Sequence, residues 1–278
     1  MPRAPSTGPA NSTAPVAEDP PRAGFARRFA ALFGLGVLGV VGLIPMMVPA
    51  ARQQLDAMPE MELSLPSLVV LSFLNPLIFL ALSVAVGVAL APRVRLRSHL
   101  DERVSGGPPV LPALRTEAPV AVGLGALAGV LIVVLDLALA PWVGGGGAVP
   151  TVLTNRSLAI TLSGILYGGI TEELMIRWGL MSFLAWALWR SIGRRAPQPG
   201  PGILWAAILV SALAFGAGHL PAMAAIVPLT TPVITRTVAL NALGGIAFGW
   251  LFWRRSLEAA MVAHATVHVV FTVASVLV

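Results

Sequence analysis

Apolar segments of nearly constant length recur along this 278-residue chain, and they restrict its fold more firmly than any other feature. Seven of them are close to the length of about 20 residues that an α-helix needs to cross a bilayer. They are residues 29–50, 68–91, 118–141, 158–189, 203–219, 233–253 and 257–278. Only 11% of the residues are charged, against about 25% in ordinary soluble domains. We therefore predict an all-α, polytopic integral membrane protein with about seven transmembrane helices.

The distribution of arginine predicts how these helices are oriented. All 18 basic residues are Arg, and their clusters precede the first segment and follow the second, fourth and sixth. The opposite loops hold few of them: Arg52, Arg156 and Arg236. Because cytoplasmic loops carry the excess of positive charge, we expect the N-terminus in the cytoplasm and the C-terminus outside. The net charge of +6 follows from this topology, so we expect a lipid bilayer and no nucleic acid as partner.

The composition also divides the chain. Residues 1–24 are rich in Pro, Ala, Ser and Thr, and we expect them to form a disordered cytoplasmic tail. Residues 25–117 would hold the N-terminal helices and a basic cytoplasmic linker, and residues 118–278 a membrane core with its chemistry in the last four helices. Glycines at 144–147 predict a flexible outer loop. The use of Arg without Lys, beside abundant Ala, Gly and Pro, indicates a genome-composition bias and a bacterial cell membrane.

Two adjacent carboxylates and an arginine, Glu172, Glu173 and Arg177, interrupt the fourth apolar segment. Ionisable side chains at membrane depth are costly, so they normally have partners and mark function. On an α-helix, Glu173 and Arg177 are i,i+4 and within reach of each other. Glu172 projects about 100° away from Glu173 and has no local counter-charge. Another segment must therefore supply its partner.

Few polar residues in the later apolar segments can be that partner. His219 ends the fifth segment, and Asn241 lies in the sixth. His264 and His268 lie one turn apart in the seventh, on one helix face. Three of the chain's four histidines thus occur in the last five segments with the acidic pair, which favours one shared site.

Two other polar residues are expected to have no role there. Asp136 lies five residues before Pro141, near the end of the third segment, and is predicted to be interfacial. His99 lies in the basic linker and is predicted to be a solvated surface residue.

The shared site suits hydrolysis. Glu172 with His219 can hold and deprotonate a water molecule that attacks an amide carbonyl, while His264 and His268 donate hydrogen bonds to the oxyanion. Three imidazoles and a carboxylate also form a plausible Zn²⁺ ligand set, although no glutamate follows His264 as in zinc proteases. Intramembrane acids and histidines can also serve a proton-coupled transporter. The residues alone leave these alternatives open.

Three motifs in this order resemble the CPBP (CAAX protease and bacteriocin-processing, Abi) family of intramembrane, metal-independent, glutamate-type endopeptidases. They are Glu-Glu-x-x-x-Arg at 172–177, Phe-x-x-x-His at 215–219 and His-x-x-x-Asn at 264–268, where His268 stands in place of asparagine. Residues 241–260 resemble the family as well. The resemblance covers residues 158 to the C-terminus and leaves the first three segments without a motif.

The resemblance implies an endopeptidase that cleaves a membrane-associated protein or peptide and needs no cofactor. Glu172 and His219 would activate water, and His264 with the residue at 268 would form the oxyanion hole. The supporting residues would be Glu173, Arg177, Phe215 and Asn241. The non-enzymatic alternative is a scaffold or bacteriocin-immunity protein that keeps the site without cleaving.

Overall fold

The computed structural model describes residues 24–58, 60, 62–144, 149–193 and 196–277, and all regular structure in these ranges is helical. The α-helices are α1 (Phe25–Val41), α2 (Ile44–Ala57), α3 (Leu65–Leu90), α4 (His99–Val104), α5 (Val110–Gly144), α6 (Leu158–Ser163), α7 (Ser182–Ile192), α8 (Pro201–Gly218), α9 (Leu220–Ala224), α10 (Thr231–Arg254) and α11 (Leu257–Leu277). A 3₁₀ turn, Ala91–Val94, follows α3. Two π-helical segments, Gly164–Glu172 and Leu174–Met181, lie between α6 and α7.

Five helical stretches are long and apolar enough to cross a membrane: Leu65–Val94, Val110–Gly144, Pro201–Ala224, Thr231–Arg254 and Leu257–Leu277. The bent pair α1–α2 makes a sixth candidate within the described residues. These findings confirm the predicted polytopic, all-α membrane protein. The predicted total of about seven depends on how α1–α2 and the helical run of residues 158–192 lie in the bilayer.

The first predicted segment, 29–50, is not one straight helix. The chain bends by 54° between α1 and α2. Pro45 lies in the first turn of α2, where its missing N–H costs nothing and its fixed φ favours a new helix. At Gly42, just before the new helix, an added Cβ would lie 2.7 Å from the Leu166 side chain. The close approach of the π-helical run therefore requires glycine at the bend.

The N-terminal helices are part of the same bundle as the later ones. α1 packs on the first π segment and α3 on the second. The hydroxyl of Thr171 donates to the carbonyl of Gly36 over 2.8 Å, which ties the run to α1. The predicted disordered tail, 1–24, lies outside the described residues except for Gly24, and so do residues 145–147 of the predicted outer loop.

The linker after α3 is packed against the bundle, and the prediction that His99 is solvated is wrong. Its side chain is only 3% exposed, and its Nε2 lies 3.2 Å from Oε2 of Glu117. The same Glu117 oxygen accepts a hydrogen bond from the hydroxyl of Ser256. The number of basic residues shows that this linker is positively charged. It does not show which of the linker's other side chains are buried.

The linker is also hydrogen-bonded directly to α11. The Glu258 carboxylate accepts hydrogen bonds from the Ser98 hydroxyl (2.7 Å) and from the backbone N–H groups of His99 and Leu100 (both 2.9 Å). Those N–H groups belong to the first turn of α4, which has no intrahelical acceptor for them. Glu258 therefore caps α4 and fixes it to the helix that carries His264.

Asp136 and Arg236 form a buried ion pair, a long-range contact that the sequence did not indicate. Arg236 Nε donates to Asp136 Oδ1, and Asp136 Oδ2 accepts from the N–H of Val152, each over 2.7 Å. A second Arg236 nitrogen donates to the carbonyl of Pro150. The pair is tolerated inside the protein because both charges are hydrogen-bonded. It holds the loop before α6 against α5 and α10.

Candidate active site

The run that carries Glu172 and Glu173 is wound differently from an α-helix. Its two segments are π-helical, with i→i+5 hydrogen bonding, a form that is rare and often found at functional sites. On an α-helix, Gly164 and Glu173 are nine residues apart and would point about 180° away from each other. Because a π turn contains more residues, both reach the same side of the run. That side faces α11.

Two glycines on this side make room for the imidazoles of α11. A Cβ on Gly164 would collide with the ring of His268. A Cβ on Gly168 would lie 2.8 Å from His268 Nε2 and 3.2 Å from His264 Nε2. The two imidazoles stack with 5.3 Å between ring centroids. The absence of side chains at 164 and 168 therefore brings both histidines against the helix that carries the carboxylates.

His264 lies between the two carboxylates. Its Nδ1 is 2.8 Å from Glu173 Oε1, and its Nε2 is 3.9 Å from Glu172 Oε2. The longer distance exceeds a direct hydrogen bond and matches a polar contact bridged by one water molecule. The partner that Glu172 lacks on its own helix is therefore supplied by α11.

Glu173 and Arg177 form the ion pair that their spacing predicts. Arg177 Nε lies 3.2 Å from Glu173 Oε2, and neither side chain is exposed. The guanidinium also lies over the rings of Phe215, at 4.7 Å, and Phe248, at 5.3 Å. Aromatic faces attract a desolvated cation, so these rings help to compensate for the water that Arg177 has lost.

His219 lies directly after α8, beside the same aromatic ring. Its Nδ1 is 2.9 Å from the carbonyl oxygen of Phe215. Because a carbonyl only accepts, Nδ1 carries the proton and Nε2 of a neutral His219 is an acceptor. The Phe215 ring meets the rings of His219 (4.8 Å) and His264 (5.7 Å) edge-on. In the part of the chain that is described, no ion pair joins His219 to Glu172.

The other predicted site residue is held within its own helix. Asn241 Nδ2 donates to the carbonyl of Thr237 over 2.8 Å. Sequence reasoning missed Gly164 and Phe248, and the Phe248 ring stacks on His264 at 4.5 Å. The spacing Gly164-x-x-x-Gly168 is the small-xxx-small pattern of close helix packing and could have identified the first. Nothing in the sequence separates Phe248 from other apolar residues.

The geometry around His264 bears on the zinc site that the histidines suggested as an alternative. Among the described residues, no group of three or more His, Asp or Glu side chains is arranged to hold a metal ion. The two nitrogens of His264 face different carboxylates, and its ring stacks on His268. A tetrahedral zinc site needs its ligand atoms to converge on one point.

Residues 154–270 match the model of the family described as "Rce1-like: Type II CAAX prenyl endopeptidase Rce1-like". The matched region begins in the loop before α6, ends within α11 and contains all three motifs. No curated protein and no solved structure matches the chain.

Proposed function

Because residues 154–270 match the model of the Rce1-like family of type II CAAX prenyl endopeptidases, we propose that this membrane protein hydrolyses a peptide bond of a membrane-associated protein or peptide. The observation that carries this proposal is the 3.9 Å separation between Glu172 Oε2 and His264 Nε2. We infer that one water molecule hydrogen-bonds to both groups, beside a buried Glu173 that orients the imidazole.

In this proposal Glu172 is the general base. The bridging water gives a proton to Glu172 while its oxygen bonds to the carbonyl carbon of the substrate. The unprotonated Nε2 of His219 is a second acceptor for this water. When the tetrahedral intermediate collapses, the C–N bond breaks and the proton held by Glu172 passes to the leaving nitrogen. The products are a new carboxylic acid and a new amine, which then exchange a proton to give a carboxylate and an ammonium group.

His264 and His268 would stabilise the oxyanion of the intermediate. Nε2 of His264, which lies on the Glu172 side, would donate to the oxyanion, and the contact between Nδ1 and Glu173 holds the ring in place. Nδ1 of His268 is buried and has no hydrogen-bond partner among the described residues. Preorganised donors of this kind commonly provide a large part of the rate enhancement in acyl transfer.

A comparison of peptides in cells tests this function whatever the sequence of the substrate. Membrane and secreted peptides would be compared between cells carrying the native chain, Glu172→Ala or Glu62→Ala. Glu62 is an exposed glutamate outside the site, so its variant controls for loss of a carboxylate. We expect new peptide ends in native and control cells that are absent with Glu172→Ala. Identical peptides in all three would contradict the proposal, and a phenotype kept without Glu172 would favour a scaffold.

A further inference from the structure

A polar cavity of about 370 Å³ lies beyond the end of α3, between the 3₁₀ turn and α4. Four of its seven lining residues are charged: Pro92, Arg95, Leu96, Arg97, Ser98, Asp101 and Glu102. The helical stretch that is apolar enough to cross the membrane, Leu65–Val94, ends one residue before Arg95. Lipid headgroups form the polar layer directly outside the hydrocarbon core. The cavity therefore lies at the level of the headgroups.

The charges that line this cavity are not all paired. Asp101 accepts two hydrogen bonds from Arg28 of α1, and Arg97 donates to Glu102 Oε2 over 2.8 Å. Arg95 is exposed and, among the described residues, forms neither an ion pair nor a side-chain hydrogen bond. The other oxygen of Glu102, Oε1, accepts no hydrogen bond from the described part of the chain. The cavity thus presents one guanidinium and one carboxylate oxygen that do not contact each other.

The backbone of Arg95 adopts a conformation that favours glycine. Its φ of 58° and ψ of 30° are left-handed, and the N–H of Leu96 donates to the carbonyl of Ala91 over 3.0 Å to close the turn. The left-handed residue that ends a helix in this way is usually glycine, because a Cβ there is strained. A strained residue of another type is often found where its side chain has a function. The side chain of Arg95 lines the cavity.

A lipid headgroup with both a phosphate and an ammonium group matches the two unpaired groups. A guanidinium binds phosphate oxygens through two parallel hydrogen bonds, so the phosphate suits Arg95. The ammonium of ethanolamine has three N–H donors for the carboxylate of Glu102, as a lysine ammonium has. Choline carries the same charge without any N–H. Inorganic phosphate can contact the guanidinium and leaves the carboxylate oxygen unpaired.

We infer that this cavity binds the headgroup of phosphatidylethanolamine, with its phosphate on Arg95 and its ammonium on Glu102. The bound lipid stabilises the packing of the linker, because Ser98 in the same cavity donates to Glu258 of α11 over 2.7 Å. The site is separate from the candidate active site, and the inference does not depend on the proposed function.

Thermal unfolding of the purified full chain in detergent tests this site without any assay of cleavage. The additives are phosphatidylethanolamine, phosphatidylcholine and phosphatidylglycerol with the same acyl chains, and inorganic phosphate. A ligand at about 100-fold above its Kd should raise the Tm of a chain of this size by roughly 5 °C. We expect this rise with the ethanolamine lipid and less than half of it with each of the other three.

Arg95→Gly separates the binding of lipid from the stability of the backbone. Glycine removes the strain at this position, so the Tm without lipid should equal or exceed that of the wild type. The rise on adding the ethanolamine lipid should be lost. Arg93→Gln is the matched control, because Arg93 is an exposed arginine of the same 3₁₀ turn that does not line the cavity. This control should keep the full rise.

Glu102→Gln tests the contact with the ammonium. An uncharged amide attracts an ammonium less strongly, so this variant should respond to the ethanolamine and choline lipids alike. An equal rise in wild type and Arg95→Gly would mean that the lipid acts on the bundle as a whole, and it would overturn the inference. A wild-type rise that is as large with phosphatidylcholine, phosphatidylglycerol or inorganic phosphate would also overturn it. So would loss of the rise in Arg93→Gln, which would indicate only a general effect of charge.

Discussion

Glu173 contacts α11 through one of its carboxylate oxygens and its own π-helical run through the other. Oε1 contacts His264, and Oε2 contacts Arg177. The sequence shows only the second contact, since the first joins residues that are 91 positions apart. These four side chains therefore form one series of polar contacts, from Arg177 through Glu173 and His264 to Glu172.

Glu173→Gln should therefore impair both folding and catalysis. The amide keeps the size of the side chain but leaves the buried Arg177 without a counter-charge. The free energy of unfolding should therefore fall by about 3–5 kcal/mol. The substitution also weakens the contact that orients the His264 imidazole, so kcat should fall while KM changes little. Thermal unfolding and cleavage kinetics measure the two effects, with Glu62→Gln as the control. A variant with the Tm and kcat of the wild type would show that this series of contacts has no role in stability or catalysis.

His268 replaces the asparagine of the family motif, and its proposed role depends only on donating a hydrogen bond. His268→Asn should keep most of the activity, because an amide N–H can also donate to the oxyanion. His268→Leu has similar bulk and no donor, so its kcat should fall about 10²- to 10³-fold, as on loss of an oxyanion-hole donor. Equal activity of the leucine and asparagine variants would remove His268 from the mechanism.

At the scale of helices, the site depends on how closely the π-helical run approaches α11. The run has glycines at positions 164 and 168, where any larger side chain would collide with the two imidazoles. Its i→i+5 winding brings these glycines to the side that holds Glu173. With α-helical periodicity, the two glycines would lie on the side opposite Glu173. The sequence therefore cannot predict that they share one face.

Gly168→Ala tests this approach. The added methyl group has no free space and must push away His264 and His268, at a cost of about 1–3 kcal/mol for overpacking, and activity should fall with it. Gly123→Ala is the matched control, because Gly123 lies in α5 with nothing within 4 Å of the new methyl group. In a helix this control should be neutral or stabilising by about 0.5–1 kcal/mol. Equal cleavage rates for both variants would mean that the imidazoles do not need the close approach.

The linker helix α4 should lose its attachment in Glu258→Ala. The substitution leaves the N–H groups of the buried His99 and the partly buried Leu100 without an acceptor, at up to about 1–3 kcal/mol for each. We expect a lower Tm and faster amide hydrogen exchange in residues 98–104, with smaller changes in α8. Exchange rates in α4 equal to those of the wild type would contradict this attachment. Glu62→Gln, which caps no described helix, is the control.

At the scale of the whole molecule, buried charge pairs hold the bundle at two places. The Arg28–Asp101 pair and the Glu258 cap fix the linker, and the Asp136–Arg236 pair fixes the loop before α6. Interpreting arginine by topology alone treats Arg28 and Arg236 as solvated charges. Both instead have carboxylates from distant parts of the chain, which explains why the sequence could not show their role.

What the sequence could predict follows from local spacing. Apolar length indicated the polytopic helical fold, and the i,i+4 separation indicated the Glu173–Arg177 pair. The prediction of a solvated His99 was wrong because a long-range contact buries this residue. Local spacing also indicated neither the bend between α1 and α2 nor the Asp136–Arg236 pair. The partner of Glu172 was sought among the right residues, but the structure brings His264 nearest to it.

The cleavage rate of purified Glu172→Gln, reconstituted in lipid, tests the central claim most directly. The Glu172 side chain is partly exposed and accepts no hydrogen bond among the described residues, so the variant should fold with the Tm of the wild type. Without the carboxylate, the rate should fall about 10²- to 10⁴-fold, the usual contribution of a general base. A folded Glu172→Gln protein that cleaves at the wild-type rate would contradict the account.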